Sequence, residues 1–496
     1  MDASKEEAAS TDAGEWLQCD YSQGKWVWDE SVTGPRYDSE SCDMKSTEKC
    51  VINGKPDKGY LHWRWQPTGC NISALDPTSF LRLVRGKHLA FVGDSTARNQ
   101  AEALVCYLST VAKPVTVHRY EERLGRKFWQ WFFPAPHSVN VSTYWSPLLV
   151  RAEGHSEDYA MTQETVILDA LTEPWTADVD AMDVMVISVG HWFPRPAMYY
   201  EDGEVVGVYS RPDITNKTDI GYLGVYRKVL RRTLEYVDAN STRDKLVVVA
   251  TIAPAHFDAK HGWNHRDACS RTKPFEDGEA EVAAADAELR NVVLEEVATA
   301  AAKRRKRWGV RFEVLDVTRM ATMRPDGHPG PYLFAHSYDL RPVPETVAND
   351  CLHWCAPGIV DTFNDILTKM ISSRFRLSRS GRPSRHLQVR DRDEPFFLPP
   401  PPRLRLTLHL ASPVVAPPAA SPATSSLRRR GHLGLHQAPQ EACASSHLHP
   451  LLFPDLSGLE ESARAERAGS GGHSAHRTPL QQRQLDTLKS PRAAAT

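Results

Sequence analysis

The chain has 496 residues, a quarter of them charged, and a formal net charge of −2. The near-neutral balance removes the general electrostatic case for a nucleic-acid partner, which shows as a basic excess. The length leaves room for one large α/β domain or two or three smaller ones, and no stretch reaches the roughly 18 uninterrupted apolar residues of a membrane span.

The opening MDASKEEAASTDAGEW is polar and acidic, without a signal-peptide apolar region, and residues 1–15 are expected to be disordered. Residues 16–71 form a Cys- and Trp-rich stretch, CDYSQGKWVWDE through PDKGYLHWRWQPTGC, with little periodicity; it reads as a small module in which aromatic burial and disulfides replace long strands. Trp63, Arg64 and Trp65 suit packing, with a carbohydrate-stacking platform as the functional alternative. Residues 72–378 then alternate strand-like and helical runs. In LAFVGDSTARNQAEALVCYL, Leu89 to Leu108, an apolar run breaks at Gly93-Asp94-Ser95 and resumes with helical spacing. Ser95 thus falls on a strand-to-helix turn, a nucleophile's position backed by free helix amides; a plain Asp/Ser N-cap would read the same way.

Further along, FWQWFFPAPHSVNVSTYWSPLLV alternates like strands, and Val184 to Val189 is a continuous apolar run closed by Gly190-His191-Trp192, which fits a buried parallel strand. His191 reads first as a strand-end hydrogen-bonding residue and is held out of any triad. GYLGVYRKVLRRTLEYVDAN has helical spacing, Leu246 to Ala250 reads as another buried strand, Glu279 to Arg307 as a helix, and Phe312 to Val317 as a strand. The basic run Lys303 to Arg307 reads as a solvated helix end rather than a nucleic-acid patch. In NDCLHWCAPGIVDTFNDIL, Asp350 and His353 lie three apart between Cys351 and Cys355, and a helix opens near Pro357. As catalytic groups, His353 would take a proton from Ser95 and Asp350 would fix its tautomer; an Asp turn beside a half-buried histidine is the bland alternative. Residues 379–496 are rich in Pro, Ala, Ser, Arg and His and are expected to be a disordered tail.

Eight cysteines, Cys19, Cys42, Cys50, Cys70, Cys106, Cys269, Cys351 and Cys355, are spread over the regular part of the chain, and Cys443 sits alone in the tail. An even, dispersed set suits disulfides better than one zinc site, for which paired CxxC motifs at finger spacing are missing. Sequons begin at Asn71, Asn140, Asn216 and Asn240 and point to the same secretory lumen. Either the protein is cytosolic with reduced cysteines or it has lost a targeting segment, and the second is expected. Alternating strands and helices imply a mostly parallel sheet covered on both faces, with ligands beyond the carboxyl ends of its strands.

Taken together, CDYSQGKWVWDE, PDKGYLHWRWQPTGC, FVGDSTARNQ, SVGHWF and DCLHWCAPGIVDTFN resemble the plant trichome-birefringence-like family, whose members O-acetylate cell-wall polysaccharides. The resemblance runs from about Trp16 to Ile371. It implies an SGNH/GDSL-type α/β fold and a triad on Ser95, Asp350 and His353, with Asp94 a turn residue. It also implies disulfides Cys19–Cys70, Cys42–Cys106, Cys50–Cys355 and Cys269–Cys351, and Arg98 and Asn140 as oxyanion or substrate helpers. A polysaccharide acceptor, xyloglucan ahead of mannan or xylan, and an acetyl donor, acetyl-CoA or another acetylated compound, follow from it, with no tightly bound cofactor and no metal. A Golgi location and a membrane anchor, absent from this chain, are the family expectation. The same triad would serve a carbohydrate acetylesterase, and the Trp-rich module alone would serve a non-catalytic wall-polysaccharide binder.

Overall fold

The computed structural model describes residues 19–119, 128–158, 161–172, 175–303 and 309–380. The expected N-terminal segment 1–15, residues 381–496 of the expected tail 379–496 with Cys443, and Arg304 to Arg307 of the basic run lie outside the described residues, while 379 and 380 end the last helix.

In the N-terminal region β1 (Gly24–Trp28) pairs antiparallel with β2 (Trp63–Pro67). A short helix α1 (Pro77–Leu83), capped by the Asp76 side chain, leads to β3 (His88–Gly93) and α2 (Ser95–Leu108). Strands β4 (Val115–Arg119), β5 (Phe128–Phe133) and β6 (Val139–Trp145) follow. Next come β7 (Val150–Gly154), β8 (Glu164–Leu171), β9 (Val184–Ser188), β10 (Ala197–Glu201) and β11 (Glu204–Tyr209). The chain then alternates α3 (Leu223–Asn240), β12 (Lys245–Ala250), α4 (Ala284–Ala302), β13 (Val310–Leu315), α5 (Thr318–Thr322) and α6 (Ile359–Ser380).

The central sheet has seven strands in the order β13-β12-β9-β3-β6-β5-β4. The first five are parallel, and β5 and β4 are added by antiparallel pairing. Its central strands β3, β9 and β12 are almost wholly apolar because both faces are covered there. Leu89, Phe91, Val184, Val186, Leu246 and Val248 face a core shared with α2 and α6. Their neighbours Ala90, Val92, Met185, Ile187, Val247 and Val249 face a second core shared with α3 and α4. Period-two alternation between two buried layers is what a continuous Val/Ile/Leu run means in a parallel sheet. The expected SGNH/GDSL-like architecture is therefore present.

A second sheet, β11-β10-β8-β7, was not legible in the sequence. It is closed at one end by the β10–β11 hairpin, whose Asp202 and Gly203 have φ of 51° and 81°, the two positive values that a tight primed turn requires. The helix expected over Glu279 to Arg307 spans only Ala284–Ala302. The Glu279 carboxylate is spent accepting from the Glu276 amide and pairing with Arg271, and this turn delays the helix start.

The N-terminal region does not stand apart. Trp26 and Trp65 pack edge to face in the same core as α2 and α6, and the Trp26 indole donates to the Met320 carbonyl at 2.9 Å. Arg36 makes a bidentate pair with Asp365, and Tyr37 donates to Asp361. Trp65 is buried and Trp63 half-buried, whereas Trp28 is 48% exposed with its ring stacked on His62. All four expected disulfides are formed, with Cα–Cα separations of 5.4–5.9 Å. No helix among the described residues is long and apolar enough to cross a membrane.

Candidate active site

The β3 run ends at Gly93, where a side chain is excluded: a Cβ there would overlap the Ser188 carbonyl of β9. The Asp94 amide donates to that carbonyl at 3.1 Å. The Asp94 carboxylate caps α2 through Oδ1, accepting from the Thr96 amide at 2.9 Å and its hydroxyl at 2.6 Å. Ser95 is the first residue of α2 and is half-buried. It leaves the carboxyl edge of β3 between β6 and β9, where the chain switches from one side of the sheet to the other, the usual ligand position in an open α/β fold.

Asp350 and His353 lie on a loop with little freedom. Asp350 exchanges both backbone hydrogen bonds with Gly330, while Cys351 is bonded to Cys269 and Cys355 to Cys50. The Asp350 side chain is buried and accepts three hydrogen bonds: Oδ1 from the amides of Leu352 at 3.0 Å and His353 at 2.8 Å, Oδ2 from His353 Nδ1 at 2.7 Å. Burial alone would push this carboxyl up. The adjacent His353 ring and the two amides outweigh burial and hold it well below the ordinary carboxylate range. An ionised Asp350 on Nδ1 leaves the proton-accepting lone pair on Nε2, which is buried without a hydrogen-bond partner among the described residues.

The RNQ that follows the serine couples the two elements. Asn99 stands one helical turn beyond Ser95, on the same face of α2. Its side chain clasps the peptide backbone of Trp354, the residue after His353: Oδ1 accepts from the Trp354 amide and Nδ2 donates to the Trp354 carbonyl, both at 3.1 Å. The same Nδ2 donates at 2.6 Å to Glu48, a fully buried carboxylate from the N-terminal region. Glu48 in turn accepts from Arg98 at 2.7 Å, and its own carbonyl accepts from the Ala356 amide. Gln100 completes the set by donating to Asn364 of α6. Behind the loop, His328 Nδ1 lies 2.8 Å from the His353 carbonyl and its ring stacks on Trp354 with centroids 4.1 Å apart.

Two expected helpers are corrected by this geometry. Arg98 is 5% exposed and commits both terminal nitrogens to carboxylates, Glu48 and Glu102, so it braces the clasp instead of facing substrate. Asn140 opens β6 and pairs with His88, the first residue of β3, whereas Trp145 at the far end of β6 pairs with Gly93. Five residues of parallel strand, roughly 16 Å, separate Asn140 from the Ser95 edge. Its sequon runs into the buried Val141 and Ser142, while Asn71, Asn216 and Asn240 are exposed. His191, set aside on sequence grounds, does reach this edge, with the charges of Asp94, Asp286 and His353 all acting on its ring. Among the described residues no group of three or more His, Cys, Asp or Glu side chains is placed to share a metal ion.

Comparison with known proteins places the chain in a family. Residues 17–71 match the PMR5 N terminal Domain, and residues 72–370 match PC-Esterase, a GDSL/SGNH-like acyl-esterase family found in Pmr5 and Cas1p. Xyloglucan O-acetyltransferase 1 of Arabidopsis thaliana is 44% identical over 74% of this chain and 85% of its own length. Xyloglucan O-acetyltransferase 1 of Populus trichocarpa is 42% identical over 72% and 82%. Protein trichome birefringence-like 25 of Arabidopsis thaliana is 37% identical over 73% and 78%. With a GDS turn, an Asp-x-x-His loop and an N-terminal domain joined into one core, and with these relatives along most of its folded length, the chain belongs to the PC-esterase family together with the trichome-birefringence-like proteins.

Proposed function

We propose that the protein is a polysaccharide O-acetyltransferase that acetylates xyloglucan through an acetyl-Ser95 intermediate. The observation that carries the mechanism is the Asp350–His353 pair, whose unpartnered Nε2 belongs to a loop clasped to the helix that begins at Ser95. The acceptor assignment is supported by relatives at 42–44% identity that bear the name xyloglucan O-acetyltransferase.

In the first half-reaction Ser95 Oγ attacks the carbonyl of an acetylated donor as His353 Nε2 takes its proton, and Asp350 stabilises the imidazolium. The Ser95 amide, at the start of α2, is the first donor to the tetrahedral oxyanion. The donor's leaving group departs with the proton from His353, leaving the acetyl ester on Ser95. In the second half-reaction His353 takes the proton of a sugar hydroxyl, whose oxygen attacks the ester; collapse returns the proton to Ser95. Four disulfides suit an oxidising lumen, and the Golgi is the compartment this reading assigns.

The test is incubation of the full chain with an acetylated donor and xyloglucan oligosaccharides, read by mass spectrometry. Acetylated oligosaccharide is expected from the wild type and none from Ser95→Ala. Release of free acetate with unmodified oligosaccharide would identify an esterase and overturn the transferase reading.

A further inference from the structure

The triad leaves part of the polar carboxyl edge unused. His191 follows β9, which lies beside β3 with Ser188 opposite Gly93, so the two chains leave the sheet side by side with Asp94-Ser95 on one and Gly190-His191 on the other. On its other flank β9 borders β12, and the Ala253 backbone just beyond β12 hydrogen-bonds the His191 ring. Asp286, in the first turn of α4, is a further charge acting on that ring. His191 Nε2 is buried without a partner among the described residues, and so is Oδ2 of Asp94, a side chain that is 1% exposed and spends only Oδ1 on the helix cap. Neither atom is used in the acylation steps. An unpaired buried polar atom costs about 1–3 kcal/mol, and a bound hydroxyl at this edge would offset that cost for both.

Resting on the transferase reading, we propose that His191, with Oδ2 of Asp94, holds the hydroxyl groups of the acceptor sugar against acetyl-Ser95. The chemistry of the two atoms selects this ligand class. A carboxylate oxygen requires a donor. A neutral imidazole nitrogen donates or accepts according to its tautomer, and a hydroxyl pairs with either form. Burial keeps the imidazole below its ordinary range against the pull of Asp94 and Asp286, so the ring stays uncharged and offers no cation to a phosphate. With the charges of Asp94 and Asp286 acting on it, this corner suits an uncharged polyol and disfavours an anionic donor.

The proposal separates the two half-reactions. With the full chain, p-nitrophenyl acetate as donor and a xyloglucan oligosaccharide as acceptor, acylation is read from nitrophenolate release and transfer from the acetylated oligosaccharide. His191→Ala should acylate Ser95 at the wild-type rate, while KM for the oligosaccharide rises about tenfold, the worth of one good hydrogen bond to a buried group, and more of the acetyl is lost to water. His191→Gln, which keeps a hydrogen-bonding group, should recover part of the loss, which a purely structural role would not produce. Equal losses in acylation and transfer, or an unchanged acceptor KM, would overturn the subsite. If His191→Ala does not fold, the comparison rests on His191→Gln and on Asp286→Asn, which should raise the acceptor KM with acylation unchanged. Transfer that persists in Ser95→Ala would overturn the acyl-serine reading instead. In that event oligosaccharide binding by calorimetry, Ser95→Ala against Ser95→Ala/His191→Gln, still decides the subsite: weaker binding in the double variant supports it and equal binding rejects it.

Discussion

Asn99→Ala removes the clasp between the helix that begins at Ser95 and the loop that carries Asp350 and His353, the proposed nucleophile and its partners, without touching any of the three. Three hydrogen bonds disappear: two neutral ones at 3.1 Å to the Trp354 backbone and one charge-assisted at 2.6 Å to Glu48. At about 1 kcal/mol for each neutral bond and about 2 for the charged one, the loss is roughly 4 kcal/mol, since all three partners are buried and stay unpaired. Stability should fall by several degrees in Tm. The sharper consequence is kinetic. Trp354 adjoins His353, so the loop that carries Nε2 is free to shift, and a displacement of about 1 Å at a catalytic contact costs on the order of 10²-fold in kcat. Gln100→Ala is the control, because its side chain donates to Asn364 of α6 and makes no hydrogen bond to the Trp354 backbone; it should lower Tm and leave kcat within about twofold. Both variants are to be assayed for acetyl transfer at least 15 °C, or about 4 kcal/mol of margin, below their Tm. Wild-type kcat in Asn99→Ala, or equal kcat losses in the two variants, would refute the claim that the clasp sets the geometry of the site.

Other outcomes follow from the same contacts. Asp350→Asn should lower kcat by about 10³–10⁴ with little change in KM, because an amide no longer enforces the Nδ1–H tautomer or stabilises the imidazolium; steady-state kinetics on folded protein checks it. Burial pushes the Glu164 carboxyl up to about 7 from 4.5, so the folded state binds the proton more tightly than the unfolded one. Stability should then decline by about 3 kcal/mol as pH rises from about 4.5 through 7, and Glu164→Gln should flatten that part of a Tm-versus-pH curve. Replacing Cys50 and Cys355 together by Ser should cost about 2–5 kcal/mol and lower kcat as well, because Cys355 is two residues from His353; denaturant melts and transfer assays on one preparation separate the two effects.

What the sequence disclosed follows the range of the interactions involved. The β3–turn–α2 unit is local: an apolar run, a Gly-Asp-Ser break and a helical repeat read directly as the structure has them. Strands β9 and β12 were legible because two-sided burial makes them nearly uninterrupted apolar runs, while the edge strand β13, with Arg311 and Glu313 inside it, lies two residues earlier than the expected Phe312 to Val317. Asn140 was misplaced because strand direction and register are non-local; nothing within VNVSTYW tells which of its ends lies beside Ser95. Glu48 was passed over for a related reason. It stands in an irregular Cys-rich stretch, and its role exists only when Arg98, Asn99 and Ala356 are brought around it. His191 was read as a strand-end residue, and its neighbours come from three separate elements. The disulfide pairs became readable only through family resemblance, since spacing by itself leaves the connectivity open.

The Cys50–Cys355 bond also sets a schedule for the protein's synthesis. Its two halves are 305 residues apart in the chain. At ~5–20 residues per second, Cys50 waits roughly 15–60 s before Cys355 exists. Cys19 and Cys42 are already made when that interval opens, and Cys70, Cys106, Cys269 and Cys351 emerge within it as further competing partners. The buried carboxylate of Glu48 likewise waits for the peptide at Ala356. A ribosome-bound chain thus carries its nucleophile early and remains without a base until almost the whole folded region has been made. On the proposed reading, a chain released early, or wrongly paired at Cys50, carries Ser95 without a positioned His353.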